Sequence, residues 1–461
     1  MAATELWGVP KPEYTRDHPH ILFRGFRNSG WMRMFEKRNI RIKEEWIRRG
    51  TAAVVLSAGL LVLLLRVQSA HSGSAEADCL FAEPPAQEQY QYREILHERT
   101  DGQQELSLYA RAALLLDADN NRVLYEENGT QVMAMASTTK IMTCILALEY
   151  GNPDDLVTVS ARAAAMPKVK CYLREGEQYR LGDLVYSMML QSHNDTAAAI
   201  AEHIGGSIEG FAEMMNRKAI DLGCTDTLFI TPNGLDASRE DGSFHSTTAY
   251  DLARIAAYAI QNEDFLRIIG TRSYSFSSAD GRRSFTVSNA DAFLDMMDGA
   301  LGIKTGFTGQ AGYCFVGGLK RDGKTFISVV LGCGWPPNKS YKWHDTKALM
   351  EYGLSGYAYE EIPVTDEVQG LTVLNGKEKS VPLAIRPEPF GLLLCTGDEI
   401  VYEREMCTSL TAPVGKGEVA GYDRYYVNGE LYRVFPIYTG DAVGRIDYPF
   451  CFSDVLDKFL L

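Results

Sequence analysis

The sequence predicts an α+β protein: an antiparallel sheet flanked by helices, with a helical subdomain inserted between the halves of the sheet, followed by a small all-β C-terminal domain. Three observations carry this expectation. Between residues 107 and 358, strand-like runs gather at the two ends and helix-period runs in the middle. From about Glu360 short alternating runs are split by turn signals at Asn375-Gly376, Thr396-Gly397-Asp398 and Asn428-Gly429, the pattern of hairpins. The 461 residues suffice for two or three domains with adequate cores.

The chain divides in order. Its first fifty residues carry 11 Lys and Arg against 6 Asp and Glu, a net of +5; the remainder carries 35 against 54, a net of −19. Nothing in so acidic a folded part suggests a nucleic-acid partner, and none is expected. Residues 51–65 form an apolar run of 15, bounded by Arg48-Arg49 and Arg66. That length suits a signal peptide and falls short of the roughly 20 residues a spanning helix prefers. Ala75-Glu76-Ala77 offers a cleavage site, but about ten residues beyond the run, so a cleaved signal and an uncleaved anchor over 51–66 both stay open. Either keeps the basic segment 1–50 in the cytoplasm and exports the rest of the chain, making the protein extracytoplasmic, membrane-associated or secreted. The first thirty residues are unlike an ordinary leader, and Met32 or Met34 is an alternative start. Residues 78–106, rich in Gln, Glu and Pro, read as a linker. The main domain spans 107–358 and the β domain 360–449. Residues 450–461 space Phe452, Val455, Leu456, Phe459 and Leu460 as an amphipathic helix does.

Within the main domain, three short motifs stand in order: Ser137-Thr138-Thr139-Lys140, Ser192-His193-Asn194 and Lys304-Thr305-Gly306. A Ser-x-x-Lys pattern occurs on the order of once by chance in a chain this long, and Lys-Thr-Gly about one time in ten. All three in this order are hard to obtain by coincidence. A serine hydroxyl is a weak nucleophile near neutral pH and needs an adjacent base. Ser137 and Lys140 lie three apart, on one face of a helix expected over 137–150, whose stripe of Ile141, Cys144, Ile145 and Leu148 ends at Gly151-Asn152-Pro153. Burial of that stripe desolvates Lys140 and lowers its pKa, so that a neutral amine takes the serine proton. Taken alone, an N-cap serine followed by a solvated lysine is the commoner reading of this motif.

Ser192-His193-Asn194 falls between an amphipathic run at 181–190 and an alanine-rich helix with Asp195 as N-cap and Gly205-Gly206 as stop. Ser192 is placed to relay a proton to a leaving amine and Asn194 to hold a substrate amide, whereas His193 only shapes the loop. In isolation these residues equally suit ordinary capping. Lys304-Thr305-Gly306 precedes strand-like runs at 311–319 and 325–331, with the turn at 320–324. The Lys and Thr offer a cation and a hydroxyl to a carboxylate, and Gly306 admits a ligand close to the backbone. The Phe307 N–H is expected to join that of Ser137 in an oxyanion hole.

The ordered triple is the established signature of penicillin-binding proteins and class A β-lactamases. The wider sequence resembles the low-molecular-mass penicillin-binding proteins of the S11 serine-peptidase family, the D-alanyl-D-alanine carboxypeptidases. Residues 111–117 and 123–128 resemble the family's opening hairpin. Thr231-Pro232-Asn233-Gly234-Leu235-Asp236, the run from Ser246 to Ala253 and the run from Lys304 to Cys314 resemble later landmarks. The match departs at His193, where the family usually carries a smaller residue. Family members often place an arginine after the Lys-Thr-Gly hairpin to help bind the terminal carboxylate; in that neighbourhood this chain has Lys339 and Lys342, to which the role is not assigned.

The resemblance implies a penicillin-binding/β-lactamase-like fold and hydrolysis of D-Ala-D-Ala in peptidoglycan pentapeptide stems. Ser137 is then the nucleophile, Lys140 the base and Ser192 the proton relay, with Asn194, Lys304, Thr305, Gly306 and Phe307 binding substrate. It implies no cofactor, covalent inhibition by β-lactam antibiotics, and membrane association through the N-terminal segment or the C-terminal helix, for which packing on the β domain is an equal alternative. Two other functions stay open. A class A β-lactamase would carry a glutamate-bearing loop where this chain has Thr231 to Asp236, and would lack a C-terminal β domain. A non-catalytic wall-binding or penicillin-sensing protein would bind in the same cleft without turnover. The nine cysteines lack Cys-x-x-Cys spacing, so no metal site is indicated. Cys144, Cys314 and Cys333 read as buried hydrophobes, and Cys395–Cys407 as the one pair to test for a disulfide.

Overall fold

The structure is a computed structural model that describes residues 80–81 and 106–459. The basic segment 1–50, the apolar segment 51–66, the Ala75-Glu76-Ala77 motif and nearly all of the 78–106 linker lie outside the described residues. Among the described residues, no helix is long and apolar enough to cross a membrane.

The α+β architecture expected from the sequence is present. Strands β1 (Ala112–Asp117) and β2 (Arg122–Glu127) form the opening hairpin. Two small hairpins, β3 (Leu156–Thr158) with β4 (Gln178–Arg180) and β5 (Ser273–Ser277) with β6 (Ser284–Ser288), belong to the helical insert. The chain returns through β7 (Ala300–Thr308), β8 (Gly312–Arg321) and β9 (Lys324–Leu331). The five-stranded sheet is antiparallel in the order β2-β1-β9-β8-β7, so β1 pairs with the last of these strands, with Leu114 opposite Val329. The β8–β9 turn is tighter than the five residues expected. Asp322 and Gly323 alone make it, both at positive φ, which lets the strands run to Arg321 and Lys324.

Strand β1 is buried along its whole length because helices cover both faces of the sheet. Alternate side chains point to opposite faces. Ala112, Leu114 and Leu116 join the large core under the helical insert, while Ala113 and Leu115 join a second core. The insert supplies α1 (Lys140–Tyr150), entered through a 3-10 turn at Ala136–Thr139, then α2 (Ala161–Ala164), α3 (Leu181–Gln191), α4 (Asn194–Gly205), α5 (Ile208–Asp221), α6 (Ala249–Ala259) and α7 (Glu263–Gly270). Helix α8 (Tyr341–Gly356) packs Leu349 and Met350 into the second core. Seven residues of α1, from Ile141 to Ala147, are buried, so it is the hub of the insert and not a surface helix with one apolar stripe. Asp195 is not the N-cap of α4: His193 holds that position without a side-chain capping bond. The Asp195 carboxylate is turned back onto the preceding loop, accepting from the N–H groups of Cys171 (2.9 Å) and Leu173 (3.0 Å).

The C-terminal domain is all β: β10 (Ala358–Ile362), β11 (Leu371–Leu374), β12 (Ser380–Val381), β13 (Leu383–Ile385), β14 (Phe390–Leu394), β15 (Ile400–Met406), β16 (Ser409–Thr411), β17 (Val419–Val427) and β18 (Glu430–Thr439). Asn428-Gly429 makes a two-residue turn between β17 and β18, both residues at positive φ. Thr396-Gly397-Asp398 closes no hairpin, because β14 pairs with β10 whereas β15 pairs with β17. The same geometry defeats a Cys395–Cys407 bridge. Seven extended residues of β15 separate them, roughly 20 Å of strand. Cys407 is disulfide-bonded and Cys395 is not. Cys144, Cys314 and Cys333 are buried thiols. Helix α9 (Tyr448–Phe459) belongs with residues 375–377 and 444–447 to a separate compact unit and exposes Tyr448, Phe452, Leu456 and Phe459.

The opening hairpin is latched to the β domain by Arg122. Its guanidinium donates to Leu393 O and to Asp398 Oδ2 (2.8 Å), with 5% and 1% of the two side chains exposed. Asp398 also accepts from Cys395 N (2.9 Å) and Asn428 Nδ2 (2.7 Å). Breaking a buried ion pair from one side leaves an uncompensated charge. Arg122→Met should therefore cost about 3–5 kcal/mol in chemical denaturation. A loss under about 1 kcal/mol would mean the pair is solvated and holds nothing together.

Candidate active site

Ser137 lies in the 3-10 turn and Lys140 is the first residue of α1. In a 3-10 turn, side chains at i and i+3 eclipse. The Lys140 amine accordingly sits 3.0 Å from Ser137 Oγ. Lys140 is fully buried, and its amine has two further partners: Asn194 Oδ1 at 2.9 Å and the main-chain oxygen of Asn233. Neither of those oxygens can donate. Asn194 is held in this orientation because its Nδ2 donates to Pro167 O (3.3 Å) and Lys168 O (3.1 Å). A neutral amine keeps two N–H groups for the two carbonyl oxygens and turns its lone pair on the Ser137 hydroxyl. A protonated one donates to all three. The two states differ by one proton carried between Ser137 and Lys140, with no heavy atom displaced.

Electrostatics favour the neutral state. Burial is the main cause that holds the Lys140 pKa well below its ordinary value; the Lys304 cation adds to this, and Asp195 opposes it. Lys304 is buried as well, which pushes its pKa down to about 8 against the pull of Asp291. Lys304 and Gly306 belong to the free edge strand β7. Across the ladder Phe307 faces Tyr313, which spends its N–H on Gly334 O (2.9 Å) and its carbonyl on Cys333 N (2.7 Å). The Phe307–Tyr313 pair is therefore a non-hydrogen-bonded one, and the Phe307 amide points out of the sheet edge. Thr305 shares that parity, and Lys304 Nζ reaches back to its carbonyl at 3.3 Å.

Gly306 also serves a close approach within the chain itself. A Cβ there would lie 3.0 Å from Ser137 N and 3.1 Å from Ala136 Cβ. What comes close is the chain's own 3-10 turn, which places Ser137 N beside the exit of β7. Gly234, at φ +81°, is pressed on the same turn, with Ala136 O filling the space its Cβ would need. Thr308 Oγ1 donates to Asp236 Oδ1 (2.8 Å), tying the loop of Asn233 and Gly234 to β7.

The middle motif divides its tasks. Ser192 ends α3 in the left-handed region (φ 62°), and its Oγ is buried with no hydrogen-bond partner among the described residues; it touches neither Ser137 nor Lys140 by a hydrogen bond. Asn194 holds the lysine, so its amide is already engaged in a way the substrate-binding expectation did not include. His193 is buried against Ser187 Oγ (2.7 Å), and burial lowers its pKa to about 4, in keeping with a residue that only shapes the loop. Lys342 Nζ donates to Lys339 O (3.1 Å) and lies 4.8 Å from the Tyr313 ring centre, with no bond to Lys304 or Thr305. Sequence reasoning missed the Asn233 carbonyl, because a main-chain oxygen has no residue-type signature. Its loop stood out only as a landmark.

A lysine whose folded pKa is depressed costs stability fully below the folded pKa, less as pH rises toward the unfolded value, and nothing above it. Relative to Lys140→Met, wild-type protein should thus gain melting temperature as pH is raised from 7 to 10. The constant loss from leaving Asn194 Oδ1 and Asn233 O without a donor cancels from that slope. A difference independent of pH would show that the lysine binds its proton equally well folded and unfolded.

Comparison with known proteins identifies the family. The family model for D-alanyl-D-alanine carboxypeptidases, peptidase S11, matches residues 99–334, and that for the C-terminal domain of penicillin-binding protein 5 matches residues 362–445. The D-alanyl-D-alanine carboxypeptidase DacF of Bacillus subtilis is 31% identical over 343 residues, 72% of this chain and 85% of the relative. DacC of Escherichia coli is 29% identical, covering 73% and 85%. The crystal structure of penicillin-binding protein 5 from Haemophilus influenzae superposes with a TM-score of 0.61 at 26% identity, over 75% of this chain and all of that one. With relatives matched across both of its domains, the chain belongs to the S11 family of serine peptidases and is a D-alanyl-D-alanine carboxypeptidase.

Proposed function

We propose that the chain removes the terminal D-alanine from peptidoglycan pentapeptide stems through an acyl-enzyme on Ser137. The observation that carries this reading is the lysine's coordination: two of its three partners are fixed acceptors, and the third is the serine hydroxyl. Ser137 Oγ attacks the carbonyl between the two D-alanines while its proton passes to Lys140. The oxyanion that forms is met by the N–H groups of Ser137 and Phe307, brought together by the Gly306 approach. Lys304 and Thr305 hold the free carboxylate, and Gly306 keeps their strand close to the turn. Asn194 orients Lys140. Ser192, with its unused buried hydroxyl, passes a proton to the leaving D-alanine. Water then hydrolyses the ester, and the proton returns along the same route.

A β-lactam presents its ring carbonyl where the scissile carbonyl stands, so penicillins acylate Ser137 covalently. The substrate is a wall component, which places the enzyme outside the cytoplasm. The apolar segment 51–66 and the exposed face of α9 are the two candidates for holding it at the membrane.

Purified protein given a D-Ala-D-Ala pentapeptide should release free D-alanine and take up labelled penicillin on the Ser137 peptide, and Ser137→Ala should do neither. Labelling without D-alanine release would leave a penicillin-binding protein that does not turn over. The acylation rate should climb with pH as Lys140 loses its proton. For carboxylate substrates it should fall again above about pH 8, where Lys304 becomes neutral, and amidated analogues should escape that fall. Gly306→Ala should slow acylation by about 100-fold or more with little change in melting temperature, because the added methyl pushes the nucleophile turn. Wild-type rates in that variant would show that β7 and the turn are not in register for catalysis.

A further inference from the structure

Ala136, the residue before the nucleophile, is a buried non-glycine residue in the left-handed region, at φ 50°. That conformation costs an L-residue roughly 1–2 kcal/mol, so something must hold it. Its carbonyl accepts from Thr139 Oγ1 at 2.8 Å. The Thr139 oxygen is in turn 2.7 Å from His245 Nε2. The other ring nitrogen of His245 fixes the direction of this chain. Nδ1 accepts from the main-chain N–H of Ile230 at 2.9 Å and therefore carries no proton. Nε2 is then the protonated nitrogen, donating to Thr139 Oγ1, which donates to Ala136 O. The ring is 3% exposed, and burial, with the nearby Lys140 as a lesser cause, lowers its pKa to about 3. It keeps this one tautomer across the working range. Ile230 stands three residues before Asn233, whose carbonyl holds Lys140. One imidazole thus spans the nucleophile turn and the loop that orients the base.

We infer that His245 is a positioning residue for acylation: acting through Thr139, its ring fixes the Ala136-Ser137 peptide and the Asn233 loop so that Ser137 Oγ and the Lys140 amine stay in contact. The inference rests on Ser137 and Lys140 being nucleophile and base. It adds a residue that touches neither substrate nor reacting atoms.

The test is single-turnover acylation by a fluorescent penicillin, resolved into non-covalent affinity and acylation rate constant, on the full chain. Thr139→Val, isosteric but without the hydroxyl, and His245→Leu should each lower the rate constant about 10–100-fold, with affinity changed less than about threefold. Thr139→Ser restores the hydroxyl and should recover the rate to within about threefold of wild type. The double variant should be no slower than the slower single one, since both break one chain. The pH of half-maximal acylation should stay where it is in Thr139→Val. A folded Thr139→Val variant at wild-type rate, losses that multiply in the double variant, or a shifted pH midpoint would each overturn the inference; the last would mean that the ring itself titrates. If His245→Leu does not fold, the Thr139 pair decides alone. Labelling that persists in Ser137→Ala would instead sink the nucleophile assignment, an outcome distinct from any of these.

Discussion

The site is organised by the cost of burying an amine. Lys140 has no exposed surface, so its charge is expensive, and the protein meets that cost by offering two rigid oxygen acceptors and one hydroxyl. The neighbouring elements can be understood from this requirement. Helix α4 begins where Asn194 can reach the amine, and the loop at 167–168 holds its amide. The Asn233 loop brings a main-chain carbonyl to the amine, Gly234 lets that loop press on the turn of Ala136 and Ser137, and Thr308–Asp236 stitches the loop to the edge strand. Lys304 adds a second buried cation whose field works against charge on the first. The charge on Lys304 thus adds to the burial that keeps Lys140 neutral.

Much of this was legible in the sequence. The three motifs mark where the polar side chains are, strand-like runs at the two ends of 107–358 bracket the helical insert, and the alternating runs from about Glu360 mark the β domain. Ser137 and Lys140 emerge together because their spacing dictates a shared face. The features that stayed hidden have common physical causes. Asn233 acts through its backbone, which composition does not reveal. Gly306 also packs closely against the turn of Ala136 and Ser137, a contact between residues far apart in the chain that a local motif does not reveal. Asp195 has the composition of a cap, but the buried N–H groups of Cys171 and Leu173 compete for its carboxylate and win. The Thr396-Gly397-Asp398 turn has the chemistry of a hairpin because turn chemistry is local, whereas the choice of strand partner is not.

Arg122 shows a related limit. Nothing in its sequence surroundings marks it, yet it joins the first hairpin to a domain more than 270 residues away in the chain. Burial of both partners makes this a directional contact that tolerates few substitutes. The β domain is consequently attached at a defined orientation to the strands that also carry the sheet, and not merely strung behind the peptidase region.

The pairing of β1 with β9 has a temporal meaning. Its contacts link Leu114 to Val329, and the lysine's partners come from residues 137, 194 and 233, with 304 supplying the second cation. Contacts of such sequence separation form slowly and late, because the loop entropy is lost before the pairing stabilises anything. A chain still emerging from synthesis, or crossing a membrane in extended form, has the serine but not the setting that makes it reactive. Reactivity is therefore a property of the finished topology: the hydrolase is inert as a polymer and becomes one only where it completes its sheet.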